Sequence, residues 1–161
     1  MVVVNAKARA SSLLDPVSSR PWIQALLISL GGLLVFVIFW FMYVMVYMGV
    51  ERVFFTQRPD RMPAGLVRNL SVALSWILYC LVLRSPTSHV IRATLLVGPM
   101  AASIAALVLA LYLYPVAAAL AVGGLTVCAY LLLRYTKSNW MYYFATLIAA
   151  GLGIFYAWPR A

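Results

Sequence analysis

Residues 51–68 read ERVFFTQRPDRMPAGLVR. The stretch holds six of the fifteen charged side chains in the chain and two of its three acids, Glu51 and Asp60. The sequence on either side is apolar. Upstream, residues 22–48 run for 27 positions without a charge. At a helical rise of 1.5 Å per residue that is about 40 Å, more than the ~30 Å hydrocarbon core of a bilayer. Downstream, residues 70–83 form a shorter uncharged run, extending to residue 66 if Arg68 snorkels to the interface; it reads as a crossing, with a re-entrant element as the alternative. This island of charge between membrane-length blocks sets the fold class: an all-α, polytopic integral membrane protein.

Further outward the same alternation continues. The segment RSPTSHVIR at 84–92 reads as a polar hinge. Residues 93–133 then carry no charge for forty-one positions, about twice what one crossing needs, so the chain must turn within them. Pro115 in YLYP marks that turn, because proline ends helices and tyrosine favours interfaces. A break at Gly123-Gly124 is the alternative. RYTKSN at 134–139 is a tight polar loop, and Trp140 and Trp158 bracket a last apolar run. About five transmembrane helices result, near 22–48, 66–83, 93–111, 115–133 and 140–158. A polar head at 1–21 precedes them and a short tail, 159–161, follows. The Ser-rich head, with Lys7, Arg9 and Arg20, resembles a transit peptide in composition, but reads as an anchor on the cytoplasmic or matrix side.

Composition excludes several classes. Hydrophobic residues make up 66 % and charged residues 9 % of the chain, against about 25 % charged in a soluble domain. The net charge of +9 is scattered a few residues at a time between apolar blocks. That pattern suits anionic lipid headgroups and not nucleic acid. Cys80 and Cys128 both lie inside apolar blocks, so neither a disulfide framework nor a redox pair is expected. With His89 the only histidine, a bis-histidine haem or a His/Cys metal cluster lacks ligands, and a serine-hydrolase triad lacks a placed base. No metal, cofactor or catalytic residue is assigned.

With five crossings, the head, the 84–92 hinge and the 134–139 loop share one side with seven cations, against five on the other. The positive-inside rule then places the N-terminus inside, in a bacterial or organellar inner membrane. Packing is expected through small residues, since lipid removes the hydrophobic drive between helices. Gly98, Ala102, Ala106 and Ala110 recur every fourth position, as do Ala145, Ala149, Gly153 and Ala157. Ala117 with Ala121, and Ala119 with Gly123, extend the pattern. The expectation is a tight bundle of the third, fourth and fifth spans. The bulky first span, with Phe36, Trp40, Tyr43 and Tyr47 on one face, would lie outside it or against another subunit. Pro99 should bend the third span near its start.

Two fragments resemble enzyme families. Arg58-Pro59 followed by Gly65, with SRPW at 19–22, resembles the loop and the start of UbiA-type membrane prenyltransferases. The resemblance implies a magnesium-binding aspartate motif, of which only Asp60 is present. Arg52, Arg58-Pro59 and Ser85-Pro86-Thr87-Ser88-His89 are similar to elements of type-2 phosphatidic acid phosphatases, whose later nucleophilic histidine has no counterpart here. The residues themselves point to a non-catalytic subunit or assembly partner of a larger membrane complex, bound to other subunits or to itself. One alternative is a small lipid- or anion-handling transporter or channel component with Arg52, Arg58, Arg61 and Arg68 as its vestibule, since arginine forks suit phosphate oxyanions. The other is a lipid-phosphate enzyme.

Overall fold

The structure, a computed structural model, describes residues 20–54 and 64–157. Arg58, Asp60, Arg61, residues 1–19 of the head and the tail lie outside the described residues. Among the described residues every regular element is an α-helix: α1 Pro21–Phe54, α2 Ala64–Arg84, α3 His89–Ala110, α4 Pro115–Tyr135 and α5 Trp140–Ala157. All five are long and apolar enough to cross a membrane. The 21 residues of α2 reach about 32 Å, so the shorter apolar run at its centre does not shorten the helix.

Helix ends are set by backbone hydrogen bonding, and they depart from the limits of the apolar runs. Helix α3 starts at His89, four residues before the uncharged run, because Ser88 is its N-cap and accepts from the Ile91 amide at 3.4 Å. Arg92 therefore lies in the first turn of α3. It folds back, donating through Nε to Thr87 Oγ1 at 3.2 Å and through Nη2 to the Ser85 carbonyl at 2.8 Å, which ties down the α2–α3 link. Helix α1 continues past Glu51 to Phe54, with Arg52 in its last turn, where a cation suits the helix dipole. Pro115 opens α4, its missing amide costing nothing at that position. Gly123 and Gly124 lie within α4, and α3 runs through Pro99.

Paired contacts give the directions. Trp76 meets Ser103, and Tyr130 meets Tyr143, so α2 and α4 run opposite to α3 and α5 respectively. Gly31 faces Thr94 and Gly98 faces Phe39, which makes α1 parallel to α3. The order is up-down-up-down-up. One end of the bundle thus gathers Arg20, Arg84, Arg92, Arg134 and Lys137, and the other gathers Glu51, Arg52 and Arg68.

Helix α3 is the centre. It is the most buried of the five, packing most extensively on α5 and next on α1. Its contact face with α5 is Ala101, Ile104, Ala105 and Val108, into which the buried Ala145, Ala149, Gly153 and Ala157 fit. A Cβ on Gly153 would stand 2.8 Å from Ile104 Cβ and 2.9 Å from the Ala101 carbonyl oxygen. A branched side chain of α3 seats on the small-residue face of α5, and the two small-residue ribbons do not face each other. The α3 ribbon turns elsewhere. Gly98 is buried against Phe39 and Val35 of α1, Ala102 and Ala106 line a cleft shared with α1 and α2, and Ala110 is exposed.

Two packing expectations are corrected. Helix α1 belongs to the bundle, because Gly31 and Gly32 let it approach α3 closely; a Cβ on Gly32 would stand 2.8 Å from Val97. Its aromatic stripe turns toward the bundle: Phe36 and Trp40 pack on Tyr156 of α5, and Trp40 Nε1 donates to the Tyr156 hydroxyl at 2.6 Å. Helix α4 is instead peripheral, with Ala118 and Val122 its buried residues. Ala117, Ala119 and Gly123 are exposed, and nothing lies within 4 Å of a Cβ built on Gly123.

Candidate functional site

Among the concavities between the helices, two carry a cationic side chain, one near each end. The first is a cleft of about 100 Å³ bounded by α1, α2 and α3. Its stem is apolar, formed by side chains such as Phe39, Val46, Leu74 and Ala106, and its mouth carries Arg68 and Tyr43. Arg68 is half-buried in the second turn of α2, and its Nε is shielded from solvent with no hydrogen-bond partner among the described residues. Two serines in the wall point their protons away from the cleft: Ser71 donates to the Val67 carbonyl at 2.9 Å and Ser75 to the Val72 carbonyl at 2.7 Å. Such back-bonding satisfies serine within an apolar helix face. The cleft therefore presents one charged donor group above an apolar stem.

The second is an open groove of about 850 Å³ at the opposite end, between α2, α3, α4 and α5. It exists because α2 and α4 flank α3 without packing extensively on each other. Trp76, Tyr79, Leu96 and Met100 line its depth, while His89, Lys137, Asn139 and Tyr142 stand at its rim. The His89 ring meets Tyr142 edge-on, with Nδ1 3.4 Å from the hydroxyl. Trp76 Nε1 donates to Ser103 Oγ at 2.9 Å, and Ser103 in turn donates to the Pro99 carbonyl at 2.8 Å. Lys137 holds a left-handed backbone, φ 49°, where α4 ends. The Ser138 amide there reaches back to the Leu133 carbonyl at 3.0 Å, the closure of a helix C-terminus that ordinarily favours glycine.

The arginines named from the sequence divide accordingly. Arg52 is exposed at the end of α1, and Arg68 lines the first cleft one turn inside α2. Arg58 and Arg61 lie outside the described residues. His89 stands at the far end of the bundle from Arg68. The helix between them rises about 24 Å from Arg68 to Arg84, which sets the Arg68 cleft apart from the Ser85–His89 segment. Among the described residues no three His, Cys, Asp or Glu side chains gather as a metal site, and both cysteines are exposed thiols.

What sequence reading missed was Gly31-Gly32 as the contact of α1 and Ser71 and Ser75 as walls of the Arg68 cleft. The glycine pair inside an otherwise bulky run was the available signal. The serines carry none, since a serine satisfied by its own helix looks the same whichever way it faces. Compared with protein-family models, with curated proteins and with solved structures, the chain shows no match.

Proposed function

We propose that this chain is a polytopic membrane protein that serves as a non-catalytic subunit or assembly partner of a larger membrane complex. The observation that carries the reading is the length and exposure of α1. Its uncharged part, residues 22–50, reaches about 43 Å, and only a tilt of roughly 46° would fit that within a ~30 Å hydrocarbon core, beyond the 0–40° range of membrane helices. Apolar surface must therefore emerge at an end. In the C-terminal part of α1, Met45 and Val53 are 70 % and 72 % exposed. Apolar side chains at headgroup level are best covered by protein, and a partner helix or loop against this end of α1 supplies the cover.

The membrane is a bacterial or organellar inner one, with the N-terminus inside. The support is the grouping of Arg20, Arg84, Arg92, Arg134 and Lys137 at the end where α1 begins, which the positive-inside rule assigns to the inner face. The test is native mass spectrometry of the tagged chain extracted in mild detergent. Stoichiometric foreign subunits are expected, and Met45→Glu should release them while the chain stays folded. A clean homo-oligomer or monomer overturns the reading.

A further inference from the structure

We propose that the cleft between α1, α2 and α3 binds one acidic membrane lipid, its phosphate or carboxylate head on Arg68 and the top of one chain in the stem. This goes beyond the subunit reading and stands or falls apart from it. Four features point to this occupant. A guanidinium is charged at every physiological pH and has no acceptor capacity, so only an anion or a hydrogen-bond acceptor satisfies it. Arg68 lines the cleft, and its shielded Nε makes no hydrogen bond among the described residues, so the guanidinium is unsatisfied by the chain alone.

Its position is the second feature. Arg68 lies one turn inside the start of α2, where the helix dipole disfavours a cation and favours an anion. Third, its Nη2 lies 4.0 Å from where a Cβ on Gly65 would stand, so the guanidinium runs back toward the start of the helix, the direction of the lipid headgroups. Gly65 carries no side chain to block the approach. Fourth, the serine protons of the wall are committed to their own helix and Trp40 Nε1 to the Tyr156 hydroxyl, and most of the remaining lining is apolar. A charged donor above a dry slot suits an amphiphile, and a free anion would gain nothing from the stem. The lipid is drawn from the leaflet on the Arg52–Arg68 side.

The test uses the full chain reconstituted in vesicles of phosphatidylcholine alone or mixed with phosphatidylglycerol, then released for native mass spectrometry. The expected result is one phosphatidylglycerol retained per chain, with phosphatidylcholine not retained. Arg68→Gln should weaken retention about tenfold, the worth of one charge-assisted hydrogen bond, and Arg68→Lys less. Ala106→Leu fills the stem without touching the charge and should weaken retention as well. Arg84→Gln, at the other end, should change nothing. If Arg68→Gln unfolds the chain, Arg68→Lys and Ala106→Leu decide the matter together. Equal retention of both lipids, undiminished retention in the folded variants, or binding of inorganic phosphate to the lipid-free chain that Ala106→Leu leaves intact would each overturn the proposal.

Discussion

Replacing Gly153 by alanine puts a methyl group 2.8 Å from the Cβ and Cγ2 of Ile104 and 2.9 Å from the Ala101 carbonyl oxygen. Neither neighbour can give way cheaply: Ile104 is fully buried and Ala101 contributes backbone. The α3–α5 pair, the most extensive contact in the molecule, must open by a few tenths of an ångström or more. Overpacking of this kind costs about 1–3 kcal/mol. Alanine is also the better helix former, by up to about 1 kcal/mol, so the net change at one position is ambiguous. Gly151 removes the ambiguity. It lies two residues away in the same helix, is exposed, and has nothing within 4 Å of a built Cβ. The propensity gain is common to both variants, so the difference between Gly151→Ala and Gly153→Ala isolates the clash. Thermal unfolding in one detergent should place Gly153→Ala below Gly151→Ala by about 1–3 kcal/mol, or roughly 2–12 °C on the soluble-protein scale for a chain of this size. Equal midpoints would refute the claim that Gly153 is the point of closest α3–α5 approach.

Other perturbations follow from the same contacts. Ser103→Ala removes the acceptor of the Trp76 indole and should cost about 0.6 kcal/mol, with ~1.7 kcal/mol as the upper end for polar pairs in membrane proteins; a double-mutant cycle with Trp76→Phe in thermal unfolding checks it, and additive losses would count against the bond. Lys137→Gly relieves a left-handed backbone that costs L-residues about 1–2 kcal/mol, offset by the greater chain entropy of glycine, for a net gain near 0.5–1 kcal/mol. A lowered unfolding midpoint in that variant would show that the lysine side chain contributes more to the fold than its backbone costs.

The helices were legible because each is long, apolar and bounded by charge or proline, features that act within a single segment. The α4 start at Pro115 and the α5 start at Trp140 are of this kind. The start of α3 was less legible, since Ser88 in RSPTSHVIR reads as loop until its hydroxyl is seen to cap the Ile91 amide. The small-residue ribbon of α5 is a property of one helix and could be read off. Its partner surface, Ile104 with the alanines beside it, could not, because the α3 ribbon of the same spacing belongs to the faces toward α1 and α2.

By itself the sequence determined five apolar segments of membrane-crossing length and the absence of a second histidine. Which faces meet was decided by tertiary structure alone: α1 joins the bundle through Gly31-Gly32, α4 stays at its edge, and Arg68 comes to stand over an apolar cleft. The physical reason is that in an all-apolar helix the inner and outer faces have nearly the same composition. Hydrophobic periodicity then carries no information about which side is covered. Only the fit of one surface on another, between residues as far apart in the chain as Gly32 and Val97 or Ile104 and Gly153, settles it.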